Sequence, residues 1–505
     1  MTAFLQNIDL ALSTALAFDN LVYCMLGVTL GMIVGVLPGI GHFAAITMLM
    51  PLTFHAPPTA SLVMLAGIYY GAQYGGSVAS ILLNLPGTAS TAVTCLDGYP
   101  MAQQGRAGVA LFMTTFASFL GSILAIVALV ALAPPLAAVG LKFISADYFS
   151  MMVLGLVATA ILVKGSPLLG VASVVIGLML GLVGTDVNTG MIRFTFGIPQ
   201  LFDGVSIVAL AMALLGLSEV ISSAGLKEEH VKMGQRVTLR SLMPTAADLR
   251  QSWWPILRGS LVGIGVGVLP GAGGGSMASF MAYAVEKRIS RTPHRFGQGA
   301  IEGITGPEAA NNATAQAAFI PTLTLGIPGD AVMALMLGAL LIHGIQPGPR
   351  VVTENPELFW GLVGSFFVGN VLLLILNIPL IQIWVKILQI PYRFLFPSVV
   401  TLIAVGVYSI SHSYVDVLSV ALFALVGYIM VLIGFEPAPI LLGYILGPLL
   451  EENFRRTMML TGGDLLVFVE RPVSAAFLGV SLLIVLWTLL PALKARSKPQ
   501  PEAAG

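Results

Sequence analysis

Apolar residues run through this chain in long unbroken stretches rather than in the alternation of a strand or the stripe of a soluble helix. Runs approaching or reaching the roughly 17 to 25 residues that cross a bilayer occur at Gly108 to Ala133, Tyr148 to Val163, Leu168 to Val183, Val205 to Val220, Phe359 to Ile378, Phe394 to Ile410, Val415 to Ile433 and Ala475 to Leu490. Without period-2 alternation they predict helices and not an outer-membrane barrel. The expected fold class is an all-α polytopic membrane protein with about 12 transmembrane segments.

The polar interruptions are written twice. Gly35 to His42 reads GVLPGIGH, and Gly267 to Gly274, 232 positions later, reads GVLPGAGG. Further on, Asn84-Leu85-Pro86-Gly87-Thr88 answers Gly326-Ile327-Pro328-Gly329-Asp330 at an offset of 242, and Gly181 to Asp186 answers Val431 to Glu436 at 250. A repeat running through both halves predicts one duplicated domain, with about ten residues inserted between the two breaks of the second half. Its expected boundaries are a first repeat over 1–220, a cytoplasmic linker over 221–255, a second repeat over 256–472, an extra C-terminal helix over 473–492 and a tail over 493–505.

Cations orient the halves, since short loops rich in Lys and Arg stay in the cytoplasm. The linker (Lys227, Lys232, Arg236, Arg240, Arg250, Arg258) and the loop with Lys287, Arg288, Arg291 and Arg295 go inside, whereas the first-half counterpart of that loop, His55 to Pro58, has no Lys or Arg. Alternation then puts Arg106, Lys164, Lys386, Arg393 and the tail inside too, which is 17 of the 23 cations. The repeats therefore read as inverted, with a periplasmic N-terminus and a cytoplasmic C-terminus. Met1 to Asn20 lacks the basic region of a cleavable signal peptide and predicts a retained interfacial helix.

From Arg258 to Glu286 there are only about 30 residues with a Pro-Gly break in their middle, too few for two arms that each cross about 30 Å. That predicts Pro-Gly-tipped broken or re-entrant hairpins. Backbone freed at membrane depth is tolerated where protein, water or ligand satisfies it, and paired interrupted segments in two halves mark a transporter's binding site. The candidate substrate and ion residues are Pro38, Gly39, Gly41, His42, Asn84, Pro86, Gly87, Thr88, Pro270, Gly271, Gly273, Gly274, Asn311, Asn312, Thr314, Pro328, Gly329 and Asp330. Oxygens of Asn311, Asn312, Thr314 and Asp330 suit Na⁺. The plainer alternatives are helix–helix hydrogen bonds for the amides, an N-cap for Asp330 and Thr88, and a structural hydrogen bond for His42. Asp203, Asp416 and Glu436 lie near segment ends, where interfacial water suffices.

Composition narrows the rest. The chain is 57% hydrophobic and 9% charged with a mean hydropathy of +0.94, where soluble domains are about a quarter charged. Zero net charge gives no electrostatic case for nucleic acid. Cys24 and Cys95 have no metal-ligand spacing, and no Walker-type phosphate loop occurs. No cofactor is expected beyond a coupling ion, Na⁺ or H⁺, and no enzymatic activity. An intramembrane aspartyl protease would need two close carboxylates, and Gly329-Asp330 has no second Asp in a comparable motif.

The phrases GVLPGIGH, YGGSVASILLNLPGTAS (Tyr74 to Ser90), DGYPMAQQG (Asp97 to Gly105), GVLPGAGGG, GPEAANNA (Gly306 to Ala313), LTLGIPGD (Leu323 to Asp330) and GFEPAP (Gly434 to Pro439) together resemble the large membrane subunit of tripartite tricarboxylate transporters, the TctA-type family. The resemblance, over roughly residues 10 to 490, implies a bacterial inner-membrane importer working with a small four-helix membrane subunit and a periplasmic solute-binding protein that delivers a carboxylate such as citrate. It implies symport driven by an ion gradient. A stand-alone carrier or exchanger is the alternative. An inverted-repeat carrier is compatible with a homodimer, although no motif speaks for one.

Overall fold

The computed structural model describes residues 2–37, 41–54, 56–161, 166–186, 189–223, 239–269, 274–388 and 392–496. Pro38, Gly39, Pro270, Gly271 and Gly273 lie outside them, as do Lys164, His55, residues 224–238 of the linker and most of the tail. In chain order the first helices are α1 Thr2–Ala15, α2 Phe18–Val36, α3 Gly41–Leu49, α4 Pro58–Leu83, α5 Ala92–Met101, α6 Ala107–Gly140, α7 Ser145–Ile161 and α8 Pro167–Gly181. Next come α9 Ile207–Ala211, α10 Ser218–Ser223, α11 Ala246–Val268, α12 Gly275–Ile289, α13 Glu302–Ala317, α14 Phe319–Leu325, α15 Ala331–Ile342 and α16 Arg350–Glu354. The last are α17 Pro356–Asn377, α18 Ile381–Ile387, α19 Tyr392–Ser411, α20 Tyr414–Leu432, α21 Pro437–Leu460, α22 Val467–Glu470 and α23 Pro472–Arg496. A two-residue hairpin, Gly184–Thr185 with Ile192–Arg193, is the β-structure among the described residues.

All eight long apolar runs are helical. Five described segments are long and apolar enough to span a bilayer, at Phe18–Val36, Ala89–Gly140, Pro356–Asn377, Phe394–Ser411 and Tyr414–Leu432. Their outward faces carry large apolar side chains such as Val127, Leu418, Leu422 and Leu425. That much exposed apolar surface suits lipid and not water. This is a multi-pass helical membrane protein.

The chain forms two compact units that do not follow its sequence halves: 1–141 with 206–429, and 142–205 with 430–505. Each half contributes to both. In the first unit α4 and α13 are buried along almost their whole length. Glycines let neighbours approach them to backbone contact. A Cβ on Gly27, Gly31 or Gly35 of α2 would strike the carbonyls of Met64, Ile68 and Ala72 of α4. On Gly259, Gly263 or Gly267 of α11 it would strike those of Gly306, Ala310 and Thr314 of α13. These are small-xxx-small contacts; since paired residues ascend together, α2 runs parallel to α4 and α11 to α13. The offsets, 232 and 242, are those of the sequence repeat.

One expectation needs correction. The second hairpin is not built from two short arms: α11 starts at Ala246 and has 23 residues, about 34 Å of helix, against 15 in α12. Helix α11 thus begins inside the stretch 221–255 expected as linker. Arg258 looked like a boundary cation, but its guanidinium is bidentate to Glu286 of α12, at 2.8 and 2.6 Å, which makes a charge tolerable within a helix pair. The true start is the capping box of Thr245 and Asp248, and exposed Trp253 and Trp254 follow it as an interfacial aromatic pair. At the other end of the chain, α23 runs on to Arg496, past the expected 492.

The insertion of the second half lies mainly in the loop 290–301, where the first half has only 54–57. Asp97 of α5 holds it. Its Oδ1 accepts from the backbone N–H groups of Gly297, Gly299 and Ala300, each at 2.8 Å, and Oδ2 accepts from the Tyr283 hydroxyl at 3.0 Å. Gln104 donates to the Gln298 carbonyl, and Arg106 pairs with Asp248 at 2.5 Å. The loops expected on the cytoplasmic side therefore meet at one end of the unit.

In the second unit α8 packs on α21 through Gly177 and Gly181. Buried Asp147 of α7 takes Arg471 at 2.7 Å, while Arg193 and Arg455 share Asp186 and Glu451. α1 lies on α17, where Gly364 meets the Ala11 carbonyl.

Candidate functional site

The breaks converge through the backbone around them. Both helices that precede a second break end in left-handed caps, α4 at Asn84 (φ 57°) and α14 at Gly326 (φ 72°). The chain then turns back toward its partner break. A Cβ on Gly87 would hit the Gly35 carbonyl and Gly76, and Gly329 lies against the Gly267 carbonyl and Ala318. Each half thus brings the end of the helix before its first break onto its second break. Gly41 and Gly274, with φ of +67° and +69°, open α3 and α12. No side chain fits there, because the Glu219 carboxylate faces Gly41 and the Asp330 carboxylate faces Gly274.

Side chains tie the halves together. Asp330 caps α15 through Oδ1, which accepts the Met333 N–H at 2.8 Å. Thr88 likewise forms a capping box with Thr91. The capping alternative is therefore what the geometry displays at both residues, yet it leaves Asp330 Oδ2 to accept from the Tyr69 hydroxyl at 3.3 Å. The Tyr69 hydroxyl lies near the Gln73 side chain, one turn further along α4. Gln73 Oε1 in turn accepts from Ser90 at 2.7 Å, Thr88 at 3.2 Å and Asn311 Nδ2 at 3.3 Å. Buried polar groups thus succeed one another from one second break to the other. His42 lies beside it, its ring 5.7 Å from that of Tyr69, with Nδ1 unpartnered.

Not every candidate joins this cluster. Asn312 donates to Ser118 of α6 at 2.7 Å, and the Thr314 hydroxyl is spent on the carbonyls of Gly263 and Ala310. At 100° per residue, Asn311, Asn312 and Thr314 face α4, α6 and α11 respectively, so with Asp330 they do not surround one cation. Asn84 and Pro86 are exposed, whereas Pro328 and Gly329 are buried.

Tyr69, Gln73, Ser90, Glu219 and Glu308 are not among the candidate residues named from the sequence. Their signal was present: on α4, Tyr69, Gln73, Ser77 and Ser80 recur at three- to four-residue spacing, a buried polar stripe in an apolar helix. Among the described residues no cluster of three His, Cys, Asp or Glu could hold a metal, and both cysteines are free. The hydrogen-bond partners of the Asp330 carboxylate include the Met333 N–H and the Tyr69 hydroxyl.

Broken helices around a polar centre inside a multi-pass helical membrane protein are features found in transporter folds. Residues 21–442 match the model of the tripartite tricarboxylate transporter TctA family. The chain belongs to that family. It is 48% identical over 496 residues, 98% of each chain, to an uncharacterised 52.8 kDa protein of the TAR-I ttuC' 3' region of Agrobacterium vitis. It is also 53% identical over 231 residues to an uncharacterised protein of the TAR-II ttuC' 3' region of the same organism, covering 46% of this chain and 95% of that one. No solved structure matches.

Proposed function

We propose that this chain is the large permease subunit of a binding-protein-dependent secondary transporter of the bacterial inner membrane, importing a tricarboxylate or related organic acid by ion-coupled alternating access. The observation that carries it is the polar chain Asp330–Tyr69–Gln73 with Thr88, Ser90 and Asn311, which links the two second breaks across the halves. Helix N-termini at Gly41, Thr88, Gly274 and Asp330 offer partial positive charge to a carboxylate. The α2–α4 contacts recur in α11–α13 at the same offsets of 232 and 242 as the sequence phrases, which supports a duplication. The gathering of Arg106, Asp248 and the 297–300 loop at one end supports the inverted arrangement.

The partners, a small four-helix membrane subunit and a periplasmic solute-binding protein, follow from the family. Proteoliposomes holding this chain and its small subunit are given labelled tricarboxylates and dicarboxylates, with and without the binding protein, under Na⁺ or H⁺ gradients. Uptake that needs both binding protein and gradient is the expected result. Full-rate uptake without the binding protein would replace this reading with a stand-alone carrier.

A further inference from the structure

One buried carboxylate is absorbed by none of this. Glu308 of α13 is 1% exposed, and among the described residues no Lys, Arg or His pairs with it; Arg258 on neighbouring α11 is committed to Glu286. What surrounds it is oxygen. Thr94 of α5 hydrogen-bonds Oε1, Ser118 of α6 donates to Oε2 at 3.4 Å, and the Ser77 hydroxyl of α4 faces the same group. The carboxamide of Asn312, fully buried, sits against Ser118, and its Oδ1 has no partner. The other titratable groups facing Glu308 are Tyr74 and Cys95, which bring no positive charge at neutral pH.

A carboxylate at membrane depth must be met by strong donors, a proton or an opposite charge, and among the described residues no backbone N–H or cationic side chain partners Glu308. Hydroxyls that now donate to Glu308 can rotate to present lone pairs. Two carboxylate oxygens, three hydroxyls and one amide oxygen, all hard, from four helices, form the donor set of a small hard cation. With a single negative charge, the set balances a monovalent ion.

We propose that Glu308, Thr94, Ser118, Ser77 and Asn312 Oδ1 form a sodium site, distinct from the polar chain at Gln73 and adjacent to it through Asn311. It rests on the transport reading for its purpose and names the ion that reading leaves open. The first half has Ala66 where the repeat offset would put a second Glu308, so this pocket occurs once per chain. Sodium there ties α5, which follows the first-half break at Thr88, to α13, which leads to the second-half break at Asp330; ion occupancy thereby fixes the spacing of the two breaks.

The test is ²²Na⁺ binding to the purified chain in detergent, with melting temperature followed against NaCl at constant ionic strength in choline chloride. Neither needs the carboxylate or a partner. Saturable sodium binding and sodium-specific stabilisation are expected, both lost in Glu308→Gln, with the half-saturating concentration raised at least about ten-fold in Thr94→Val and Ser118→Ala. Wild-type sodium binding retained in Glu308→Gln overturns the site, as does stabilisation that follows pH and not sodium. Should Glu308→Gln fail to fold, unchanged half-saturation in both hydroxyl variants overturns it equally. A chain that binds sodium through Glu308 but moves no carboxylate with its partners leaves this site standing and removes the transport reading. Carboxylate uptake beside sodium binding indifferent to Glu308 does the reverse.

Discussion

Asp97 offers the clearest test of how the two halves are held in register. Its carboxylate is fully buried and has no cation; three backbone N–H groups of the 290–301 loop and the Tyr283 hydroxyl satisfy it instead. Asp97→Asn keeps one oxygen for the three N–H groups and gives Tyr283 a donor it can accept from, but removes the charge. A hydrogen bond to a charged group contributes about 1 kcal/mol more than a neutral one, so three of them lose about 3 kcal/mol. Asp97→Ala orphans all three donors at about 1–3 kcal/mol each. The loop escapes that penalty by opening to water. Trypsin then reads the opening at Arg291 and Arg295, which are exposed at the surface but held by the clamp. If cleavage follows the open population, a 3 kcal/mol loss accelerates it about a hundred-fold. The expected order of cleavage rates in nanodiscs is Asp97→Ala above Asp97→Asn above wild type. Equal rates with unchanged melting temperatures would refute the clamp.

Other substitutions test the packing and the charges. Gly31→Ala and Gly263→Ala put a methyl group onto a facing carbonyl, and should each cost about 1–3 kcal/mol as overpacking; Gly265→Ala, with nothing within 4 Å, should be neutral or gain up to about 1 kcal/mol in helix propensity, all read as melting temperature. Arg471→Ala leaves Asp147 buried and uncompensated, and should destabilise by about 3 kcal/mol, read by denaturant unfolding. Burial alone would raise Asp248, but the Thr245 backbone N–H, the Arg106 guanidinium and the Thr245 hydroxyl outweigh it and hold the carboxyl below its ordinary value. Its stabilisation is therefore present above the unfolded carboxyl pKa of about 4 and is lost as pH falls through the lower folded value. Wild type should exceed Asp248→Asn in melting temperature at pH 6, with the gap narrowing below pH ~4; a gap independent of pH would exclude that carboxylate as its source.

Whatever depends on local chemistry was legible in the residues. Unbroken apolar runs became helices, and the described Pro-Gly phrases, Pro86-Gly87 and Pro328-Gly329, became interruptions, because a helix cannot hide a missing N–H or a glycine's freedom in a neighbour's contacts. Capping was legible too, in Thr88 and Asp330. What stayed hidden was pairing. Arg258 read as a boundary because an isolated cation belongs at an interface, and its partner Glu286 is identified only when α12 folds back on α11. Asp97 lay inside a quoted motif with no visible purpose, since its partners are some 200 residues away.

The amides of α13 carry this furthest. Asn311 and Asn312 are neighbours in sequence and were read as ligands of one ion, but a helix turns adjacent side chains 100° apart. Asn311 consequently serves the Gln73 chain and Asn312 the pocket of Glu308. An adjacent pair of amides is thus a way for one rigid helix to attend two sites at once. Neither site can shift along α13 without displacing the other, and that constraint is what a carrier needs if ion binding and substrate binding are to be one event.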